Sequence, residues 1–151
     1  MNPIIPYGTL LEAEAYFADV RLNAEAWDES QEATRLKALK SATVKIDRLS
    51  YKGTQTNVGQ VREWPRNGAT EVIDDIKIAC FEIALALLDG VDPDLEEEAL
   101  GSMTDAYATI RITSDPTIRK DHVKAGIPST EAWKHLLPYL SDPLNLHIKR
   151  G

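Results

Sequence analysis

A chain of 151 residues can form one domain with a sizeable core, and 43% hydrophobic with 27% charged residues is ordinary globular composition. The net charge of −7, from 24 acidic and 17 basic residues, weighs against a general nucleic-acid binder, whose affinity depends on neutralising phosphates. No apolar run reaches the ~18 residues of a membrane span, and MNPIIPYGTLLEAEAYF has no basic start or unbroken apolar segment to make a secretory signal. One cysteine excludes an internal disulfide and points to a reducing, intracellular site of synthesis.

The lead-in MNPIIPYGT, with its prolines and glycine, is expected to be extended. Thr9 and Glu12 fit a capping box that opens a helix through LLEAEAYFADVRLNAEAW. Its predicted inner stripe is Leu11, Ala15, Ala18 and Leu22, with Leu10 and Phe17 beside it. Asp28 and Gln31 repeat the capping signal for a second helix. Its expected inner face is Leu36, Leu39, Thr43, Ile46 and Leu49, and Arg35, Lys37, Lys40 and Lys45 face outward. The two helices should pack as an antiparallel pair.

From Tyr51 to Thr70 the periodicity lapses. Trp64 directly precedes Pro65, Asn67-Gly68 marks a turn, and a connection this long tends to be functional or to pack down on itself. Then comes the element around which the chain is organised, a central helix over 71–89. Ile73, Ile76, Cys80, Ile83 and Leu87 form its stripe, and Asp74, Asp75, Lys77 and Glu82 a narrow polar edge. Asp74 and Asp75 complement the helix dipole in the first turn, and Gly90 follows the last.

The acidic stretch 92–99 reads as a linker or short exposed helix. Over about 104–113 the chain alternates, with Ala106, Ala108, Ile110 and Ile112 against Tyr107, Thr109, Arg111 and Thr113. A lone strand needs a partner for its backbone groups, so a second subunit is a natural source. SDPTIRKDHVKAGIP reads as loop; Ser129 caps a short helix, TEAWKHLL, with Trp133, Leu136 and Leu137 inward, and Pro138 ends it. The tail YLSDPLNLHIKRG reads as an extended arm. The expected fold is thus all-α, a helical bundle around the central helix with a small β excursion. As one domain, it divides into a helical body over about 9–90, a strand and loop over 100–128, and a C-terminal helix and arm over 129–151.

No catalytic constellation stands out. His122, His135 and His147 lie far apart without metal-ligand spacing, no second cysteine supports a zinc site, and the glycines lack the strand-to-helix setting of a phosphate loop. Neither a catalytic residue nor a cofactor or metal is expected. Cys80, on the apolar stripe, reads as a small core residue. Trp64 and Trp133 fit core plugs or anchors of a subunit interface, and Arg66 fits either. The interface candidates are Trp64, Arg66, Tyr107, Arg111, Trp133, Tyr139, Leu144, Leu146, Lys149 and Arg150.

The order of these pieces resembles the head–tail connector (adaptor) proteins of tailed bacteriophages, a family some of whose members carry the label DnaT-like single-stranded-DNA-binding proteins. The matching residues are Tyr7-Gly8-Thr9 with Glu12, Ala13, Ala15, Tyr16 and Phe17, then Trp27, Ala38-Leu39 and Ile46-Asp47. They continue through Tyr51, Lys52-Gly53, Gln60, Trp64-Pro65-Arg66, Ile76-Lys77, Ala79, Glu82, Ala84, Leu85 and Leu88 to Ala125-Gly126-Ile127-Pro128-Ser129, Ala132-Trp133 and Pro138-Tyr139-Leu140. The resemblance spans nearly the whole chain. Asp74 departs from it, standing where the family's helix-opening proline is expected.

What the resemblance implies is a structural, non-enzymatic virion protein made in the host cytoplasm. It would form a homo-oligomeric ring, dodecameric in most such adaptors, at the neck beneath the portal. Its partners would be itself, the portal protein and a downstream stopper or tail-terminator protein, with genomic DNA as passing cargo and no membrane. The alternative is the family's other label, single-stranded-DNA binding, for which Tyr51, Lys52, Trp64 and Arg66 are the plausible nucleus.

Overall fold

The computed structural model describes residues 2–91 and 121–141. The acidic stretch 92–99, the predicted strand with Tyr107 and Arg111, and the arm residues Leu144, Leu146, Lys149 and Arg150 lie outside the described residues. Within them the chain is helical, with no sheet beyond two isolated β-bridges.

Helix α1 (Leu10–Asp19) opens on the predicted capping box: Thr9 Oγ1 accepts from the Glu12 amide, and the Thr9 amide donates to Glu12 Oε1, both at 3.1 Å. The helix stops well short of Trp27, and a separate turn, α2 (Glu25–Asp28), follows. Tertiary contacts decide the break. Arg21 folds back onto Glu82, and Trp27 lies 4.6 Å from Phe17, ring to ring.

The predicted inner stripe of α1 is a correction. Ala13 and Phe17 are buried with Leu10 and Tyr16 packed beside them, whereas Leu11 and Leu22 are 76% and 102% exposed and Ala15 and Ala18 face solvent. A helix on a core's rim buries one face. The Tyr16–Phe17 pair, which contacts Phe81, Trp27 and the neighbouring ring, carries more apolar area than a stripe half made of alanines.

Helix α3 (Glu32–Asp47) starts at Gln31, not Asp28, and no side chain caps it. Ala38, Leu39, Ala42, Thr43 and Ile46 are buried as the periodicity requires, with Leu49 beyond the end, while Leu36 is half-buried. Helices α1 and α3 do not make a self-contained pair. Both pack on α4 (Asp74–Leu88), which α3 contacts most extensively.

Helix α4 is the predicted centre, buried from Ala79 through Leu85. The Gly90 amide donates to the Leu87 carbonyl and the Val91 amide to the Ala86 carbonyl, and Gly90 takes φ +87°, so the helix ends in a Schellman motif that needs glycine. Gly8 is needed for another reason: a Cβ there would stand 2.3 Å from the Phe81 ring. Glu82 corrects the predicted polar edge, being 2% exposed.

The C-terminal part returns to α4. A turn, α5 (Asp121–Lys124), falls where a loop was expected, and α6 (Thr130–Leu136) packs on α4. Ser129 Oγ accepts from the Ala132 amide at 3.1 Å, as its capping role requires. Pro138 stops the α-helix in a 3₁₀ turn over Leu137–Tyr139. That turn changes the register, so Leu137 faces out and Leu140, expected in an arm, is 2% exposed in the core. Leu140 also bridges antiparallel to Tyr51, through Lys52 amide to Tyr139 carbonyl at 2.9 Å and Ser141 amide to Ser50 carbonyl at 3.0 Å.

Candidate functional site

The segment after α3 is irregular because its glycines and Asn67 take positive φ, yet it is tightly organised. Residues 54–56 run antiparallel to 65–67: the Asn67 amide donates to the Thr54 carbonyl at 2.8 Å and the Thr56 amide to the Pro65 carbonyl at 3.1 Å. Arg66 binds this hairpin to itself. Its guanidinium donates to the carbonyls of Gly53 at 2.7 Å, Lys52 at 3.2 Å, Glu63 at 3.3 Å and Tyr51 at 3.4 Å, and to Glu63 Oε2 at 3.1 Å. At 8% exposure it serves as a structural brace. Trp64, joined to Pro65 by a cis peptide, stands edge-on between Tyr51 and Tyr139, at centroid distances of 5.3 and 5.6 Å.

Asp47, at the end of α3, ties this loop to the lead-in. It accepts from the Tyr7 hydroxyl, from Arg62 at 2.8 Å and from the Glu63 amide at 3.3 Å. The Tyr7 hydroxyl in turn accepts from the Trp64 amide at 3.2 Å, and burial followed by the Asp47 charge raises its pKa far above the phenolic range. A second junction joins α4 to the C-terminal turn. Asp75 accepts from the Tyr139 hydroxyl and lies 3.0 Å from His135 Nδ1. These hydrogen bonds, Tyr139 first, hold the Asp75 carboxyl below its usual range and push the Tyr139 phenol up to about 12.

Two titratable groups in the core could suggest chemistry, and both have structural partners. Glu82 Oε1 accepts from the Tyr16 hydroxyl at 2.6 Å and from Arg21 at 2.9 Å, at the edge of a pocket of about 290 Å³. Cys80, as expected a core residue, is fully buried with its Sγ 3.5 Å from Thr43 Oγ1, and burial raises its thiol to about 11. No cluster of His, Cys, Asp and Glu among the described residues could hold a metal, and no described helix is long and apolar enough to cross a membrane.

Of the candidates named from sequence, the structure therefore brings Trp64, Arg66 and Tyr139 together around Tyr51, inside the chain. Trp133 is buried on α6. Of the nucleus suggested for base stacking, only Lys52 is exposed. Sequence reasoning missed Tyr7, Asp47 and Glu82 as internal hubs, and it placed the apolar stripe of α1 on the wrong side.

What remains open to a partner is surface. The exposed stripe of α1 runs Leu11, Ala15, Ala18, with Leu22 just beyond, and Glu14 and Asp19 sit on its two flanks. The outer face of α3 forms a groove of about 370 Å³ with the lead-in. Ile4, Ser41 and Val44 line it together with Lys37, Lys40, Lys45 and Arg48. No curated protein and no solved structure matches the chain. One family model does, over residues 6–125, and its description is "Putative DnaT-like ssDNA binding protein". The chain belongs to that DnaT-like family.

Proposed function

We propose that this protein is a non-enzymatic assembly module, a head–tail connector of a tailed phage that forms a ring at the neck beneath the portal. The main support is a contrast in exposure. Leu11, Ala15 and Ala18 present an uncovered apolar stripe on α1, with Leu22 exposed just after it, while Tyr51, Trp64 and Arg66, which would stack on or grip a nucleic-acid strand, brace the interior. Uncovered apolar surface marks protein–protein contact. Residues 142–151, with Leu144, Leu146, Lys149 and Arg150, and the segment holding Tyr107 and Arg111 would supply contacts to portal, to a stopper or tail-terminator protein, or to a neighbouring copy. DNA would pass as cargo, and a net charge of −7 suits a channel that must not retain it.

The family description names single-stranded-DNA binding, and one feature favours that second reading: the cationic groove of α3, with Lys37, Lys40, Lys45 and Arg48. Two binding measurements separate the readings. The full chain is titrated against a labelled oligothymidylate at near-physiological salt by fluorescence anisotropy, and mixed with its portal protein before sedimentation. The connector reading predicts co-sedimentation with portal and no saturable anisotropy change. A saturable, salt-dependent change without portal binding establishes the DNA reading instead.

A further inference from the structure

Two open faces of this molecule complement one another in shape and in charge. On α1, Ala15 and Ala18 are small enough to let another backbone approach closely, Leu11 projects at the start of the stripe, and Leu22, in the bend after the helix, is also exposed. Carboxylates flank it: Glu14, half-buried and 3.6 Å from Arg35, and Asp19, exposed. More exposed carboxylates follow at Glu25, Asp28, Glu29 and Glu32. On α3 the pattern inverts. A groove of about 370 Å³ is lined by the apolar Ile4 and Val44, by Ser41, and by four cations, Lys37, Lys40, Lys45 and Arg48. Apolar centres with opposite charges at their rims are the arrangement that steers and registers a specific protein contact.

We propose that the α1 stripe of one copy docks into the α3 groove of the next copy. The proposal rests on the assembly reading above and names the partner of both surfaces: a second copy of this chain. The contact is heterologous, using different patches on the two partners, so repetition closes a ring or runs into a filament; it does not stop at a symmetric pair. It also accounts for the groove's positive charge without nucleic acid, and for why the stripe excluded from the chain's own core remains apolar.

The test uses the full chain and two variants on opposite sides of the contact, Leu11→Asp/Asp19→Lys and Lys40→Glu/Lys45→Glu. The substituted side chains lie outside the buried core, so thermal melts should stay close to wild type and report folding independently. Sedimentation velocity, with portal added if the chain alone is monomeric, should show wild-type assemblies. Each variant alone should weaken self-association by about tenfold or more. An equimolar mixture of the two variants retains one intact stripe and one intact groove, so it should form heterodimers and go no further. Wild-type assembly unaffected by either variant overturns the proposed surface and leaves the connector reading standing. A wild-type chain that never self-associates, with or without portal, overturns both. Loss of oligonucleotide binding in Lys40→Glu/Lys45→Glu with self-association intact assigns the groove to nucleic acid and overturns the proposal.

Discussion

Arg66 donates to the carbonyls of Tyr51, Lys52, Gly53 and Glu63, which have no regular ladder to satisfy them. Removing the guanidinium takes a donor from the buried bond to the Tyr51 carbonyl, from the part-buried bonds to the Lys52, Gly53 and Glu63 carbonyls, and from the Glu63 carboxylate, which costs about 1–3 kcal/mol of stability. Arg66→Met, which keeps most of the stem's volume, should lower the urea midpoint accordingly. Lys52→Met, one turn of the loop away and exposed, should change stability by less than about 0.5 kcal/mol. Equal midpoints for the two variants would show that Arg66 is not the brace described here. The arginine was visible in the sequence as a loop residue beside Pro65, but its role was not. A guanidinium aimed at carbonyls from residues 51 to 63 leaves no periodic trace, whereas Cys80 was legible because it lay on a strong helical stripe.

At the scale of elements, the contacts between helices depend on carboxylates. Asp75 joins α4 to Tyr139 and His135, and Glu12 joins α1 to α4 through Lys77 at 2.7 Å. Both carboxyls are held below their usual range, Asp75 chiefly by the Tyr139 hydrogen bond and Glu12 chiefly by Lys77. A carboxylate with a depressed folded pKa contributes stability that is fully present above the unfolded value of about 4 and is lost as pH falls through the folded value. Melting temperature should therefore hold steady near neutrality and fall in acid. The difference between wild type and Asp75→Asn should narrow below about pH 4, and a difference independent of pH would contradict this junction. With the Asp75 side chain 42% exposed, the effect is small. The helices carrying these groups were readable: α4 by its nearly continuous apolar surface, α1 and α6 by Thr9 and Ser129 at their starts. The face of α1 was not. Two apolar faces compete on that helix, and only the presence of Trp27 and Phe81 decides that Phe17 turns inward.

Across the described residues, side chains from Tyr7 to Leu88 and from Ala125 to Leu140 join one core around α4, yet an apolar stripe of α1 outside that core stays in solvent. The sequence marked that stripe as something to be buried, and the described residues leave it uncovered; a second copy is the occupant proposed for it. Helical class and the core were legible because apolar periodicity encodes them. The split between internal hubs and open faces was not, because it depends on which of several good faces wins once all are assembled. For the proposed connector role, the most direct measurement is electron cryomicroscopy of the necks of tailed-phage particles assembled in the presence of this chain. The account predicts a closed ring of copies beneath the portal, with α1 of each against α3 of the next. Necks resolved without this chain would contradict it.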